Sequence, residues 1–182
     1  TTSLGEFSGR QTWDLSSKMV SAENGGSNTI NGKNLTLDGT LQASGPSQAE
    51  YDQVDVSGSN TVNTSLQGLS ANSGSNNLNL QGDLSISLNG GGADSYYRYY
   101  TVNSKILSHS VVADTSVTGL YAGGSSTARG ENIVKAQSLE IHADGHSGSS
   151  YGAAGLHADA YGRNKTEVKE GAVLDLKSDK GA

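Results

Sequence analysis

Five consecutive residues in the middle of the chain are the best suited to bind a ligand. Tyr96, Tyr97, Arg98, Tyr99 and Tyr100 include four of the eight tyrosines. Tyrosine and arginine present flat amphipathic faces and hydrogen-bond donors at low entropic cost, which suits a sugar ring or a protein surface. The alternative is structural, with alternate tyrosines stacking as a cross-strand aromatic ladder. Both interpretations stay open at this point.

Two His-Ala-Asp triplets are the only candidates for a metal site. They begin at His142 and His157, fifteen residues apart, and His146 follows the first triplet closely. Stacked imidazoles and carboxylates could bind a divalent metal ion. Polar residues beside turn glycines also collect there for solvation alone. We therefore expect no metal and no other cofactor, and we name His142, His146 and His157 as the residues to examine.

Carboxylates are spread along the chain without the regular spacing that a catalytic cleft requires. β-helical enzymes that cleave polysaccharides gather several carboxylates on one face. Here the intervals are irregular, and we interpret the acidic side chains as a solvated face: Asp52, Asp55, Asp94, Glu131, Glu140, Asp144 and Glu167. The GxSxG, HExxH and P-loop motifs are also absent. The sequence therefore predicts that the protein is not an enzyme.

The composition limits the partners of the protein and the elements that must position these residues. A formal charge of −6 argues against nucleic acid or an anionic membrane as partner. No apolar run approaches the ~18 residues of a membrane span, so we expect no membrane insertion by this chain. The chain has no cysteine, one proline and 25 glycines, and only 33% of it is hydrophobic. Short stacked strands, stabilised by repetition, suit such a composition.

Alternating apolar and polar residues that end at a glycine recur along the chain. Examples are Leu35–Gly39, Val54–Gly58, Leu78–Gly82, Leu84–Gly90 and Leu139–Gly145. Alternation with period two predicts half-buried strands, and the glycines predict corners. The predicted fold class is therefore all-β.

Two short sequence motifs, or phrases, recur along the chain and suggest the length of the structural repeat. Gly-Ser-Asn begins at Gly26, Gly58 and Gly74, which are 32 and 16 residues apart. Gly-Leu-x-Ala begins at Gly68, Gly119 and Gly155, and the last two copies are 36 residues apart. We interpret this longer unit as two coils of about 16–20 residues each. The sequence predicts a parallel β-helix, or β-solenoid, of about nine to eleven coils.

The domain organisation follows from this repeat. We expect residues 1–182 to form a single β-solenoid fragment. Residues 1–20, which contain Phe7 and Trp13, are predicted to be an N-terminal cap, because the terminal repeats of solenoids are commonly atypical. Residues 94–117 interrupt the repeat and are expected to be an insertion or loop that carries the tyrosines.

The alternating strands, interrupted by glycine and asparagine, resemble those of a known group of secreted proteins. The segments GLYAGGSSTARGENIVKAQSLEIHADG (119–145) and GLHADAYGRNKTEVKEGAVLDLKSDKG (155–181), with the absence of cysteine, resemble the passenger domains of autotransporters, the type V secretion family. The resemblance implies a right-handed parallel β-helix, display on the bacterial cell surface, and export through a C-terminal β-barrel that lies outside this sequence.

Three functions are compatible with this fold. The first is a non-enzymatic extracellular surface protein that acts in adhesion or self-association, as in aggregation or biofilm formation. Its partner would be a glycan or protein on a host or bacterial surface, or a second copy of itself. The alternatives are a structural stalk that presents another domain and a secreted carbohydrate-active β-helix enzyme.

Overall fold

The computed structural model describes residues 9–42, 58–91, 96–102, 105–146 and 152–178, which form strands joined by tight turns. In this part of the chain the strands are β1 (Gly9–Glu23), β2 (Ser27–Gly32), β3 (Leu35–Gln42), β4 (Gly58–Asn72), β5 (Ser75–Leu80), β6 (Leu84–Gly91), β7 (Tyr96–Val102), β8 (Lys105–Gly123), β9 (Gly130–Gly145), β10 (Ala153–Ala158) and β11 (Gly162–Ser178). The all-β class predicted from the sequence is confirmed. None of the described segments forms a helix that is long and apolar enough to cross a membrane.

The first sheet, sheet A, contains four parallel strands in the order β1-β4-β8-β10. Its register places Val20 opposite Leu69, Leu69 opposite Leu120, and Leu120 opposite Leu156. These aliphatic residues therefore form one column that crosses the sheet. β7 joins the same sheet by pairing antiparallel with the first part of β8.

The second sheet, sheet B, is also parallel. β2 pairs with β5, and β3 pairs with β6. β9 is long enough to pair with both β5 and β6, and β11 pairs with its other edge. The register of β11 shifts between Val168 and Gly171, where Gly171 has a φ of 145° that favours glycine.

The paired strands form four levels, which we call rungs. The first rung is β1 to β3, the second is β4 to β6, the third is β8 with β9, and the fourth is β10 with β11. In sheet A, Gly9 lies opposite Gly58, Gly58 lies opposite His109, and Leu120 lies opposite Leu156. This stacking of parallel strands fits a β-solenoid in outline.

The predicted number of nine to eleven coils is not confirmed, because the described rungs are longer than the expected coils of about 16–20 residues. Leu120 and Leu156 are direct neighbours in sheet A, so the longer repeat unit corresponds to one rung. Gly58 begins β4, and Gly74 directly precedes β5 of the same rung. The interval between these two glycines is therefore the distance along the chain from one sheet to the other.

The hydrophobic core lies between the two sheets. Period-two burial along β6 and β9 turns alternate aliphatic residues inward, among them Leu84, Ile86 and Ile141. Sheet A contributes Leu69 and Leu120 to the same core, and all five residues are completely buried. Burial of each such side chain stabilises the fold by about 1.5–3 kcal/mol, and each rung covers its neighbour.

Glycine allows the two sheets to approach closely in the Gly-Leu-x-Ala phrase. A Cβ atom on Gly119 would lie 2.6 Å from the Gly155 carbonyl oxygen and 2.8 Å from Cγ2 of Ile141. A Cβ on Gly68 would lie 2.9 Å from Cγ2 of Ile86. Each distance is shorter than a normal contact. The Gly155 oxygen lies on the neighbouring strand of sheet A and the two isoleucines lie in sheet B, so the repeated glycine is explained by close packing both within sheet A and between the sheets.

Two predicted regions, the N-terminal cap at 1–20 and the insertion at 94–117, fall partly outside the described residues. Phe7 lies outside them, and Trp13 lies in β1, which is the edge strand of sheet A, with its side chain not described. The N-terminal cap therefore stays a prediction. Of the expected insertion at 94–117, the described part forms β7 and the first part of β8, and β8 pairs parallel with β4 from His109 onward.

Candidate functional site

The tyrosine segment forms a strand that departs from the parallel arrangement of the rungs. Tyr97 pairs with Ser110, and Tyr99 pairs with Ser108, in the antiparallel ladder between β7 and β8. Tyr96, Arg98 and Tyr100 continue the same ladder. The backbone therefore places all five predicted binding residues on one antiparallel strand of sheet A, while their side chains lie outside the described part.

The two His-Ala-Asp triplets lie in different sheets. His142 belongs to β9 in sheet B, where its register neighbours are Ser87 and Asp175. His157 belongs to β10 in sheet A, opposite Tyr121. The triplets are therefore not stacked on each other as a metal site would require. His146 forms an isolated bridge with Thr115.

One polar cluster, the His142 cluster, connects the third and fourth rungs on the outer face of sheet B. His142 Nε2 lies 2.8 Å from Glu140 Oε1, and its Nδ1 lies 3.3 Å from Asp175 Oδ2. Lys177 Nζ lies 3.3 Å from the same Asp175 oxygen. Glu140 and His142 are two residues apart on β9, and Asp175 and Lys177 are two residues apart on β11, so each pair shares a face of its strand. The pairing of β9 with β11 then brings the two pairs together.

The electrostatics of the His142 cluster favour a charged imidazole. Hydrogen bonds, first with Glu140 and then with Asp175, raise the pKa of His142 above its ordinary value. The hydrogen bond from His142, followed by that from Lys177, holds the pKa of Asp175 below its ordinary value. Both ring nitrogens of His142 face carboxylate oxygens, so this geometry holds the imidazole in place and favours its protonated form, which donates from both nitrogens.

A shallow groove of about 200 Å³ runs beside this cluster. Its polar lining comes from three rungs: Ser87, Asn89, His142, Asp144, Asp175 and Lys177. Hydroxyl, amide, carboxylate and ammonium groups together can both donate and accept hydrogen bonds. The groove can therefore hold a polar group such as a saccharide hydroxyl. Within the described residues, no group of three or more His, Asp or Glu side chains is arranged to hold a metal ion.

A second cluster lies at the end of β8 and β10 in sheet A. The Tyr121 hydroxyl donates to Asp159 Oδ2 at 2.6 Å, and His157 Nε2 lies 3.0 Å from Asp159 Oδ1. The rings of Tyr121 and His157 stack with a centroid distance of 5.8 Å and an interplanar angle of 9°. The Tyr121 hydrogen bond lowers the pKa of Asp159 more than any other contact does. This cluster joins the third and fourth rungs, as the His142 cluster does.

A column of asparagines lies on the inner side of sheet B and was not recognised in the sequence. Nδ2 of Asn28 donates to Asn76 Oδ1 at 2.9 Å, Asn76 donates to Asn132 at 2.8 Å, and Asn132 donates to Asn164 at 2.8 Å. Each Nδ2 also donates to a carbonyl oxygen of sheet A. The asparagine column therefore fixes the register of the rungs and connects the two sheets.

The outer face of sheet B changes character between the second and third rungs. Its first two rungs expose short uncharged residues, which we call the neutral face: Ser27, Thr29, Asn31, Thr36, Thr40, Ser75, Asn77, Asn79, Ser85, Ser87 and Asn89. Asp38 is the one charged residue within the four strands that carry this face. The last two rungs carry charged pairs in the same columns, for example Glu131 with Arg163 at 3.0 Å and Lys135 with Glu167 at 4.0 Å. The neutral face can therefore form hydrogen bonds without desolvating many charges.

Comparison with known proteins gives no relative for this arrangement: no family model, no curated protein and no solved structure matches the chain.

Proposed function

We propose that the chain is part of a right-handed parallel β-helix of the autotransporter passenger type, displayed on a bacterial cell surface. Its function is adhesion or self-association, without catalysis. The parallel rungs and the asparagine column support the fold, and the low charge of the first two rungs supports a role in binding. The segments 119–145 and 155–181, which resemble passenger domains, support the compartment.

The neutral face is the observation that carries this proposal. Ser27 and Ser75, whose hydroxyl oxygens are 3.0 Å apart, illustrate how its columns bring equivalent polar groups to neighbouring rungs. Each hydrogen bond made by such a group contributes only about 0.5–1.5 kcal/mol, but a regular array can form many of them at once. A second copy offers the same array, so lateral pairing between copies follows naturally from this geometry.

Adhesion through β7 is the second route by which the protein would bind. The antiparallel pairing of β7 interrupts the parallel stacking of the rungs at the segment that is richest in tyrosine. Tyrosine and arginine favour glycan or protein partners. We expect the double variant Tyr97→Ala/Tyr99→Ala to reduce binding to cells or glycans and to leave the far-ultraviolet circular dichroism spectrum unchanged.

Binding is favoured over catalysis because two carboxylates on the outer face of sheet B, Glu131 and Glu167, are engaged with cations. Glu167 lies 2.7 Å from Lys165, and Arg163 pairs with Glu131. Pairs of this kind stabilise a surface, whereas a carboxylate that acts as a general acid needs a raised pKa. The pKa of Glu167 is lowered, chiefly by its hydrogen bond with Lys165.

The test places like charges on the neutral face. The variant Thr29→Asp/Asn77→Asp should reduce aggregation of cells that display the chain, because opposed faces would repel. Ser16 and Ser65 are neighbours on sheet A, so Ser16→Asp/Ser65→Asp is a control with the same charge on the same two rungs. The proposal fails if neither the charge variant nor the tyrosine variant changes aggregation or binding.

A further inference from the structure

One carboxylate on the outer face of sheet B differs from the other carboxylates of β9 and β11. The others each contact a partner: Glu131, Glu140, Glu167, Glu170 and Asp175. Asp144 is exposed and forms no side-chain hydrogen bond or ion pair with any residue that the structure describes. Lys177 lies opposite Asp144 in the register of β11 with β9, but its ammonium group contacts Asp175 instead, at 3.3 Å. The oxygens of Asp144 are therefore available to a ligand.

Two further polar groups with unused hydrogen-bonding capacity lie next to Asp144. Asn89 is its register neighbour on β6, about 4.8 Å away across the sheet. Ser87 comes two residues before Asn89 on the same strand and shares its outer face. Neither side chain forms a hydrogen bond with another residue in the described part of the chain. A hydroxyl, an amide and a carboxylate thus stand side by side, all three without a partner there.

These three groups line the groove of about 200 Å³ that runs beside the His142 cluster. Pockets that hold drug-sized ligands measure ~300–1,000 Å³, so this groove has room for a single sugar residue and not for a longer oligosaccharide. β6 is paired along both edges, by β3 and β9, and β9 is paired by β6 and β11. The three side chains point outward from strands that are already paired on both sides, so a further strand at either end of the sheet would not cover them.

The groove suits a ligand whose groups both donate and accept hydrogen bonds. A carboxylate only accepts, and the two oxygens of Asp144 can accept from two hydroxyl groups on adjacent carbons. The amide of Asn89 donates and accepts, and an ammonium group has three donors, so Lys177 can contact Asp175 and a ligand together. A cation would be repelled by Lys177 and an anion by Asp144, whereas hydroxyl groups avoid both penalties.

We propose that this groove binds the vicinal diol of an uncharged sugar residue. Asp144 accepts from the two hydroxyl groups, while Asn89 and Lys177 donate to their oxygens. His142 acts as a positioning residue, because its Nδ1 lies 3.3 Å from the Asp175 oxygen that Lys177 also contacts. The inference rests on the adhesion part of the proposed function, for which it names a class of partner and a site outside β7.

Binding of one sugar residue at this groove should be weak. Exposed hydrogen bonds with a ligand replace hydrogen bonds with water, so we expect a dissociation constant on the order of 1 mM. A surface that displays many copies of the chain would hold a polymeric glycan more tightly, because each further contact is made at a high effective concentration.

Nuclear magnetic resonance titration of the purified chain tests the proposal. The probes are methyl α-D-mannopyranoside and methyl β-D-galactopyranoside, which are uncharged and carry a vicinal diol. Methyl β-D-glucuronide and methylammonium are the anionic and cationic comparisons. We expect one or both uncharged glycosides to shift the side-chain amide signal of Asn89 and the backbone amide signals of residues 143–145, and the charged probes to leave these signals in place.

Two variants locate the binding. Asp144→Asn removes the charge with little change of shape and should weaken glycoside binding about tenfold, since hydrogen bonds to a charged acceptor are the stronger ones. Asn89→Ala should also weaken it. Glu131→Gln is the matched control, because it exchanges a carboxylate for an amide on the same strand at a site that pairs with Arg163, and its affinity should equal that of the parent. All three variants should keep the fold of the parent, as circular dichroism would show.

The proposal is overturned if neither glycoside shifts these signals at ~100 mM, if Asp144→Asn binds like the parent, or if a charged probe binds as well as the glycosides. Beads coated with mannan or galactan separate a surface glycan from a free sugar. We expect them to capture the parent chain and not Asp144→Asn, and binding of the free glycoside without capture would overturn the role of the groove in adhesion.

Failure of this inference and failure of the proposed function can be told apart. Glycoside binding reports on the groove alone, whereas aggregation of displaying cells reports on the neutral face through Thr29→Asp/Asn77→Asp, on β2 and β5. Asp144→Asn should leave that aggregation unchanged. A loss of aggregation in Asp144→Asn, without glycoside binding by the parent, would assign Asp144 to contacts between copies and overturn the sugar site.

Discussion

Asn76 donates from Nδ2 to Oδ1 of Asn132 at 2.8 Å, and both side chains are completely buried. The second hydrogen of Asn76 Nδ2 is used by the carbonyl oxygen of Ser70 in sheet A. Each amide in the column therefore connects two rungs and two sheets at once. A buried amide is stable only when its donors and acceptors are paired, so this column selects one register among those that the aliphatic columns would tolerate.

Replacement of a column asparagine by aspartate should destabilise the protein strongly. Asn132→Asp places an oxygen where Nδ2 now donates to the carbonyl of Tyr121 and to Asn164. An unpaired buried acceptor or charge of this kind should lower the free energy of unfolding by about 3 kcal/mol at neutral pH. Denaturant unfolding measures this change. The exposed Asn79→Asp, on the outer face of sheet B, should change the free energy by less than about 0.5 kcal/mol, and equal effects of the two variants would contradict the column.

The glycines of the Gly-Leu-x-Ala phrase should differ in their tolerance of a methyl group. Gly119→Ala places a Cβ 2.6 Å from the Gly155 carbonyl oxygen, and overpacking of this kind costs about 1–3 kcal/mol. At Gly155 the nearest atom to such a Cβ is Cδ2 of Leu174 at 3.2 Å, on an exposed side chain that can move. Gly155→Ala should therefore be close to neutral. Thermal melts of both variants measure this difference, and a large loss of stability for Gly155→Ala would show that the Leu174 side chain cannot move aside.

The stability of the fourth rung should depend on pH through His142. Its pKa is raised above 6.5, so its contribution is fully present below that pH and is lost as the pH rises through the higher folded value. The difference in melting temperature between the parent chain and His142→Gln should therefore fall over the pH range that begins at 6.5 and extends upward through the folded pKa of His142. A difference that does not change over this range would contradict the assignment.

The source of that pKa shift can be measured directly by nuclear magnetic resonance titration of His142. Glu140→Gln should lower the pKa of His142 most, because the hydrogen bond with Glu140 is the largest cause of the shift, and Asp175→Asn should lower it less. Glu131→Gln is the control, since Glu131 lies on the same strand but pairs with Arg163. If all three substitutions lowered the pKa of His142 equally, the shift would come from the overall negative charge of the surface and not from the contacts with Glu140 and Asp175.

The contact between Tyr121 and Asp159 should affect acid stability in the opposite direction. The pKa of Asp159 is lowered, so its stabilising contribution is present above 3.8 and is lost as the pH falls through the lower folded value. Tyr121→Phe removes the donor and should raise the pKa of Asp159 toward 3.8, as a carboxyl titration by nuclear magnetic resonance would show. Tyr161→Phe, which changes an exposed tyrosine, should leave the pKa of Asp159 as it is.

The sequence predicts the strands well because burial alternates along them with period two. It does not predict how the Gly-Leu-x-Ala copies stack: the two-coil interpretation places Leu120 and Leu156 two coils apart, whereas they are direct neighbours in sheet A. The length of a rung is not predicted, because β4 is 15 residues long and a corner separates it from β5 in the same rung. A repeated Gly-Ser-Asn can therefore stand at two different places of one rung.

The asparagine column was missed for a related reason. Asn28 and Asn76 follow Gly-Ser, but Asn132 follows Gly-Glu and Asn164 follows Gly-Arg. The middle residue faces outward and varies freely, whereas the glycine and the asparagine are fixed by contacts in the interior. The His142 cluster could not be predicted either, because Glu140 and Asp175 come together only through the pairing of β9 with β11.

The most direct test of this account is a nuclear Overhauser experiment on the side-chain amides of the asparagines. We predict cross-peaks that connect Asn28 with Asn76, Asn76 with Asn132, and Asn132 with Asn164, because these amides are hydrogen-bonded to each other. Coils as short as the interval between the last two Gly-Ser-Asn phrases would instead bring Asn60 beside Asn76. A cross-peak between Asn60 and Asn76, in the absence of the three predicted contacts, would contradict the stacked rungs described above.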